Sequence, residues 1–95
     1  MANISIITPF FKELDRINET VESVVLQDYW GKKSEFEILI CNDGPYCKDE
    51  ILAVINNEFH ENIRIINNRG KKGPGPARNI GIENAKFEYL AFFRC

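Results

Sequence analysis

The sequence predicts an α/β fold, a doubly wound and mainly parallel four-stranded sheet with helices on both faces. Three observations carry this. Four short β-branched or aromatic runs recur along the chain, and between them the apolar residues change to three- and four-residue spacing. Each intervening segment is also long enough to cross over between parallel strands, so the order reads β-α-β-α-β-α-β with right-handed crossovers. The 95 residues make one domain, 1–95, without an internal repeat or a low-complexity segment.

Taken in order, Ile4 to Thr8 is a β-branched run that Pro9 is expected to close, since proline cannot donate to a ladder. Leu14, Ile17, Val21, Val24 and Val25 then follow helical spacing, predicting a helix from Glu13 to about Gln27. Phe36 to Cys41 is nearly continuous in apolar residues, the pattern of a strand covered on both faces. Asn42-Asp43-Gly44-Pro45 breaks it. Ile51, Leu52, Ile55 and Phe59 predict a second helix over about 47–59, and Ile63 to Ile66 a third strand. A glycine-rich basic loop leads to a third helix that starts near Pro74 to Pro76, where proline suits the first turn, and reaches about Ala85. Phe87 to Cys95 is the closing strand.

The totals narrow the function. A formal net charge of −2 offers no general attraction to nucleic acid or acidic membranes. Three cysteines without paired spacing indicate neither a disulfide framework nor a zinc site, and a reducing cytosol fits that usage. No signal-peptide pattern or membrane-length apolar run is present, so a cytoplasmic location is expected, including a peripheral one at the inner face of a membrane. Asn18-Glu19-Thr20 matches a glycosylation sequon inside a helical pattern and is read as chance.

In open α/β sheets ligands sit beyond the carboxyl ends of the strands. Those ends carry Thr8-Pro9-Phe10, Asn42-Asp43-Gly44, Asn67-Asn68-Arg69 and Arg94-Cys95. Asp43 could accept hydrogen bonds from a ligand, or serve only as a turn former or helix cap. The loop Arg69-Gly70-Lys71-Lys72-Gly73-Pro74-Gly75-Pro76 is not a Walker A sequence, and Arg78 occupies the third glycine position of a dinucleotide fingerprint. It retains glycines for close approach, a helix N-terminus, and Lys71, Lys72 and Arg78 as candidate anion partners; a solvated basic loop is the alternative. Phe10-Phe11 could stack on a base or pack into the core. His60 is expected to be a solvated surface residue, and no cysteine has a neighbouring histidine pattern for nucleophilic chemistry.

Five segments in order resemble the N-terminal, nucleotide-binding half of family 2 glycosyltransferases. Ile4 to Lys12 is similar to the opening strand, and Thr20 to Gln27 to the helix ending in Ser-Val-Leu-Gln. Phe36 to Gly44 resembles the strand ending in Asp-Asp-Gly-Ser, and Gly73 to Ile82 the Gly…Ala-Arg-Asn-x-Gly signature. Phe87 to Phe93 looks like the strand that leads to the metal motif. The resemblance implies a truncated GT-A, Rossmann-like domain that binds a nucleoside-diphosphate sugar, a UDP-sugar being favoured, for transfer to an acceptor hydroxyl. Thr8 and Pro9 would contact the nucleoside, and Phe10 would stand where a tyrosine often lies against the base. Asp43 would accept from the base or ribose. Arg78 and Asn79 would border the pocket, with Arg78 near the diphosphate. Lys72, Gly73 and Glu13 complete the nucleotide-binding candidates.

The departures matter as much. Phe11 replaces the usual asparagine, Asn42 the first acid of the pair, and Pro45 a serine. The resemblance implies Mg²⁺ or Mn²⁺ held by an Asp-x-Asp motif, but Arg94 stands where its first aspartate would fall. No catalytic or metal residue is therefore assigned, and the chain alone is expected not to turn over. The competing reading is a non-catalytic module acting by weak nucleotide binding or protein contact. A nucleotidyltransferase-like fold would need a glycine-rich signature after the first strand, which Pro9 to Glu13 does not supply. Self-association through an exposed edge strand is also expected.

Overall fold

The computed structural model describes residues 4–25, 36–68, 70, 73–87 and 89–92. Their order is β1 (Ile4–Phe10), α1 (Ile17–Val25), β2 (Phe36–Asn42), α2 (Lys48–Ala53), a 3-10 helix (Asn57–Asn62), β3 (Ile63–Asn67), α3 (Pro74–Asn84) and β4 (Tyr89–Phe92). The strands form one sheet in the order β3-β2-β1-β4, and every pairing is parallel. This is the expected α/β architecture.

Strand alternation sends side chains to two cores. Ile6 and Phe10 of β1 and Ile38 and Ile40 of β2 pack with Ile17, Val21 and Val24 of α1 and with Ile51, Ile55 and Phe59. On the opposite face Ile7, Leu39 and Cys41 meet Ala77 of α3. Small residues let α3 approach closely there. A Cβ at Gly81 would stand 2.5 Å from Ile7 Cγ2 and 2.9 Å from Cys41 Sγ.

Several boundaries differ from the sequence expectation. β1 runs through Pro9 to Phe10, paired with Cys41 and Asn42. Among the described residues the β4 ladder reaches Ile7, and Pro9 pairs with Cys41 of β2. The first helix begins at Ile17, after a turn closed by Arg16 N–H to the Glu13 carbonyl at 3.0 Å. The second helix is interrupted after Ala53. Asn18 Oδ1 accepts from Asn56 N–H at 2.8 Å, and Asn56 Oδ1 accepts from Glu58 N–H, so the chain restarts as a 3-10 turn. His60 is half-buried rather than solvated: its Nε2 donates to the Leu52 and Ile55 carbonyls, both at 3.0 Å. Carbonyls only accept, which fixes the proton on Nε2. Asn18 also donates to Glu22 at 2.7 Å, so the sequon asparagine is engaged within the fold.

At the amino-terminal edge, Glu37 gathers several elements. It accepts from Ser5 Oγ at 2.7 Å, Lys86 N–H at 2.6 Å and Arg64 Nη1 at 2.9 Å, and Ser5 Oγ in turn accepts from Phe87 N–H at 3.1 Å. Arg64 Nη1 also reaches the Asn84 carbonyl in the last turn of α3. Burial works to raise the Glu37 pKa, but the bonds from Ser5, Lys86 N–H and Arg64, with the Arg64 charge, outweigh it and hold the carboxyl below the ordinary value.

Candidate nucleotide site at the carboxyl edge of the sheet

The carboxyl ends of β1, β2 and β3 meet at Asp43. Its N–H donates to the Phe10 carbonyl at 2.8 Å, extending the β1–β2 pairing one step beyond the strands. Gly44 follows because the chain passes against Phe11: a Cβ there would collide with the Phe11 carbonyl. Asp43 is 7% exposed, and its two oxygens are used separately. Oδ1 accepts from Asn68 Nδ2 at 2.6 Å, and Oδ2 from Gly73 N–H at 2.6 Å. A donor thus meets each of the two carboxyl oxygens.

Amides surround it. Asn42 Nδ2 donates to the Tyr46 carbonyl at 2.7 Å and to Asn67 Oδ1 at 3.0 Å, while Asn42 Oδ1 accepts from Gly44 N–H at 3.2 Å. An aspartate at 42 would set acceptor against acceptor. That is the physical meaning of an amide where the family pattern has the first acid of a pair. Asn68 N–H donates to the Asn42 carbonyl at 2.8 Å, and Asn68 Oδ1 accepts from Gly70 N–H at 3.0 Å.

Gly73 is the residue before α3 and has φ of 122°, a conformation that favours glycine. Its N–H points at Asp43, and Pro74 follows at the first helical position. Arg78 and Asn79 are exposed one turn further along α3. Asp43 and Gly73 are thus brought together, with Arg78 and Asn79 on the helix that starts beside them. Lys72, Arg69 and Lys71 lie outside the described residues, as do Phe93, Arg94 and Cys95.

The other sequence candidates are placed differently. Phe10 is 1% exposed and packs in the α1/α2 core, its ring 6.3 Å from that of Tyr46. Phe11 is the exposed member of the pair, with Lys12 Nζ 5.1 Å from its ring centroid. Glu13 Oε2 accepts from Phe11 and Lys12 N–H at 3.3 and 3.1 Å, holding the turn after β1. Pro9 is half-buried. Thr8 is 1% exposed, and among the described residues its Oγ1 has no hydrogen-bond partner. Leaving such a group unmet costs about 1–3 kcal/mol.

Sequence reasoning gave no individual role to Asn68 or Glu37. An acid inside the apolar run of β2 was the available signal for Glu37, since buried acids are rare unless paired. Among the described residues no group of three or more His, Cys, Asp or Glu could hold a metal ion. No helix among them is long and apolar enough to cross a membrane.

A parallel sheet with a carboxylate and a glycine-led helix at its carboxyl edge is the GT-A, Rossmann-like arrangement of glycosyltransferases. The chain belongs to glycosyl transferase family 2, whose model matches residues 5–93. Residues 1–349 of S. aureus TarS, solved with UDP-GlcNAc, share the fold with a TM-score of 0.78 at 26% identity, covering 97% of this chain and 26% of that one. A mannosyltransferase from Pyrobaculum calidifontis, solved with GDP-Man and Mn²⁺, has a TM-score of 0.72 at 17% identity, covering 93% and 26%. A UDP-Glc:α-D-GlcNAc-diphosphoundecaprenol β-1,3-glucosyltransferase of Escherichia coli is 36% identical over 92 residues, covering 97% of this chain and 34% of that protein. The chain spans 14% to 35% of the length of five curated relatives.

Proposed function

We propose that residues 1–95 form a nucleotide-sugar-binding half-domain that recognises a nucleoside-diphosphate sugar, a UDP-sugar foremost, for transfer of the sugar to an acceptor hydroxyl. The observation that carries this is Asp43, a carboxylate fixed at the sheet's carboxyl edge beside the start of α3. Such a group matches the ring N–H of uracil or guanine and opposes the bare ring nitrogen of cytosine. The UDP-GlcNAc complex of TarS and the UDP-Glc donor of the E. coli relative support the choice of uracil.

Within this reading, Thr8 and Pro9 line the nucleoside side, Gly73 permits close approach, and Arg78 faces the diphosphate with Asn79 at the border. Lys72 is assigned to the same anion. Phe10 acts from beneath, as packing under the β1 tip, and Glu13 holds the turn that follows. A divalent cation would neutralise the leaving diphosphate; among the described residues no group of three or more His, Cys, Asp or Glu could hold one.

Calorimetric titration with UDP, GDP and CDP tests the reading. Wild type is expected to bind UDP or GDP in preference to CDP, and Asp43→Ala to lose about tenfold or more in affinity. Binding that ignores the base and survives Asp43→Ala would remove the nucleotide reading and favour a protein-contact module. Arg78→Ala is expected to weaken UDP by about tenfold while leaving uridine unchanged; equal loss for both would take Arg78 away from the diphosphate.

A further inference from the structure

Resting on that reading, we infer that Asn68 is a positioning residue for nucleotide recognition, acting through Asp43 rather than on the ligand. Asn68 is 5% exposed and is fixed at three points. Its backbone N–H donates to the Asn42 carbonyl at 2.8 Å, its Oδ1 accepts from Gly70 N–H at 3.0 Å, and its Nδ2 donates to Asp43 Oδ1 at 2.6 Å. With Gly73 N–H on Oδ2, the carboxylate is gripped at both ends, which fixes rotation about its side-chain torsions.

A carboxylate free to rotate would have to be ordered when a base binds, and that cost would be subtracted from the affinity. Asn68 removes it in advance. The same side chain joins Asp43 to the Gly70 backbone, so that Gly70 and the base-reading acid keep one mutual arrangement. The donor is the part that matters. An aspartate at 68 keeps the size and the acceptor for Gly70 N–H but turns an acceptor toward Asp43.

The test is a double-mutant cycle on UDP affinity, using Asn68→Asp, Asn68→Ala and Asp43→Ala, with thermal melting of each to establish folding. Asn68→Asp and Asn68→Ala should each weaken UDP about tenfold in the wild-type background and cost no more than about twofold when Asp43 is already alanine. A loop-holding role alone would instead spare Asn68→Asp and harm Asn68→Ala equally in both backgrounds; that result overturns the inference. If Asn68→Asp fails to fold, the alanine cycle still decides. Loss of UDP binding on Asp43→Ala but not on either Asn68 variant removes this inference and leaves the nucleotide reading standing. Wild type that binds neither UDP nor GDP overturns both.

Discussion

Glu37 and Asp43 are two buried carboxylates on one strand and its extension, with different work at opposite sheet edges. Glu37 is tied to Ser5, Arg64 and Lys86 N–H, so its pKa lies below the ordinary 4.5. A depressed folded-state pKa means its stability contribution is complete above pH about 4.5 and is lost as pH falls through the folded value. Melting temperature should therefore drop in acid more steeply for wild type than for Glu37→Gln, with Glu37→Ala costing about 2–4 kcal/mol at neutral pH by denaturant titration. Parallel pH curves would show that Glu37 is not the titrating group. Cys41 offers a second residue-scale check. Burial pushes its thiol up to about 11, with the backbone bond involving Gly81 only partly offsetting this. At pH 8 an alkylating reagent should modify exposed Cys47 while Cys41 stays unlabelled by mass spectrometry in the folded protein. The sequence offered Asp43 because it ends an apolar run, whereas Asn68 looked like one more loop amide. Its role depends on a 2.6 Å contact between residues separated by 25 positions, which no local pattern encodes.

Among the elements, strands and α3 were legible because apolar runs and the Pro-Gly-Pro start are local signals. The second helix was read as one piece because Ile51, Ile55 and Phe59 keep helical spacing and are all buried. What interrupts it is non-local: Asn18 on α1 captures Asn56 N–H. Phe10 and Phe11 were indistinguishable by type, and only the register of β1 sends one inward and the other to solvent. Packing of α3 depends on having no side chain at Gly81. Gly81→Ala should therefore destabilise by roughly 1–3 kcal/mol through overpacking against Ile7 and Cys41, read by thermal or denaturant melting. An unchanged melt would mean that helix and sheet separate at little cost.

For the whole molecule, membership of glycosyl transferase family 2 and the parallel sheet agree with the sequence reading, while the expectation about the metal motif falls on Arg94, outside the described residues. Among the described residues β4 pairs only with β1, and Leu90 on it is 37% exposed. We expect concentration-dependent self-association in sedimentation velocity, reduced by Leu90→Lys. A monomer at all concentrations would dispose of that expectation.

The strand order also implies a schedule. β1, β2 and β3 are neighbours in sequence and space, but β4 reaches the far side of β1 only after α3 has crossed beneath the sheet. Ser5 and Phe87, which hydrogen-bond at that seam, are 82 residues apart. Closing so long a loop is slow compared with forming the earlier crossovers. In pulse-labelled hydrogen exchange during refolding, amides of β1 to β3 should gain protection first and those of β4 last.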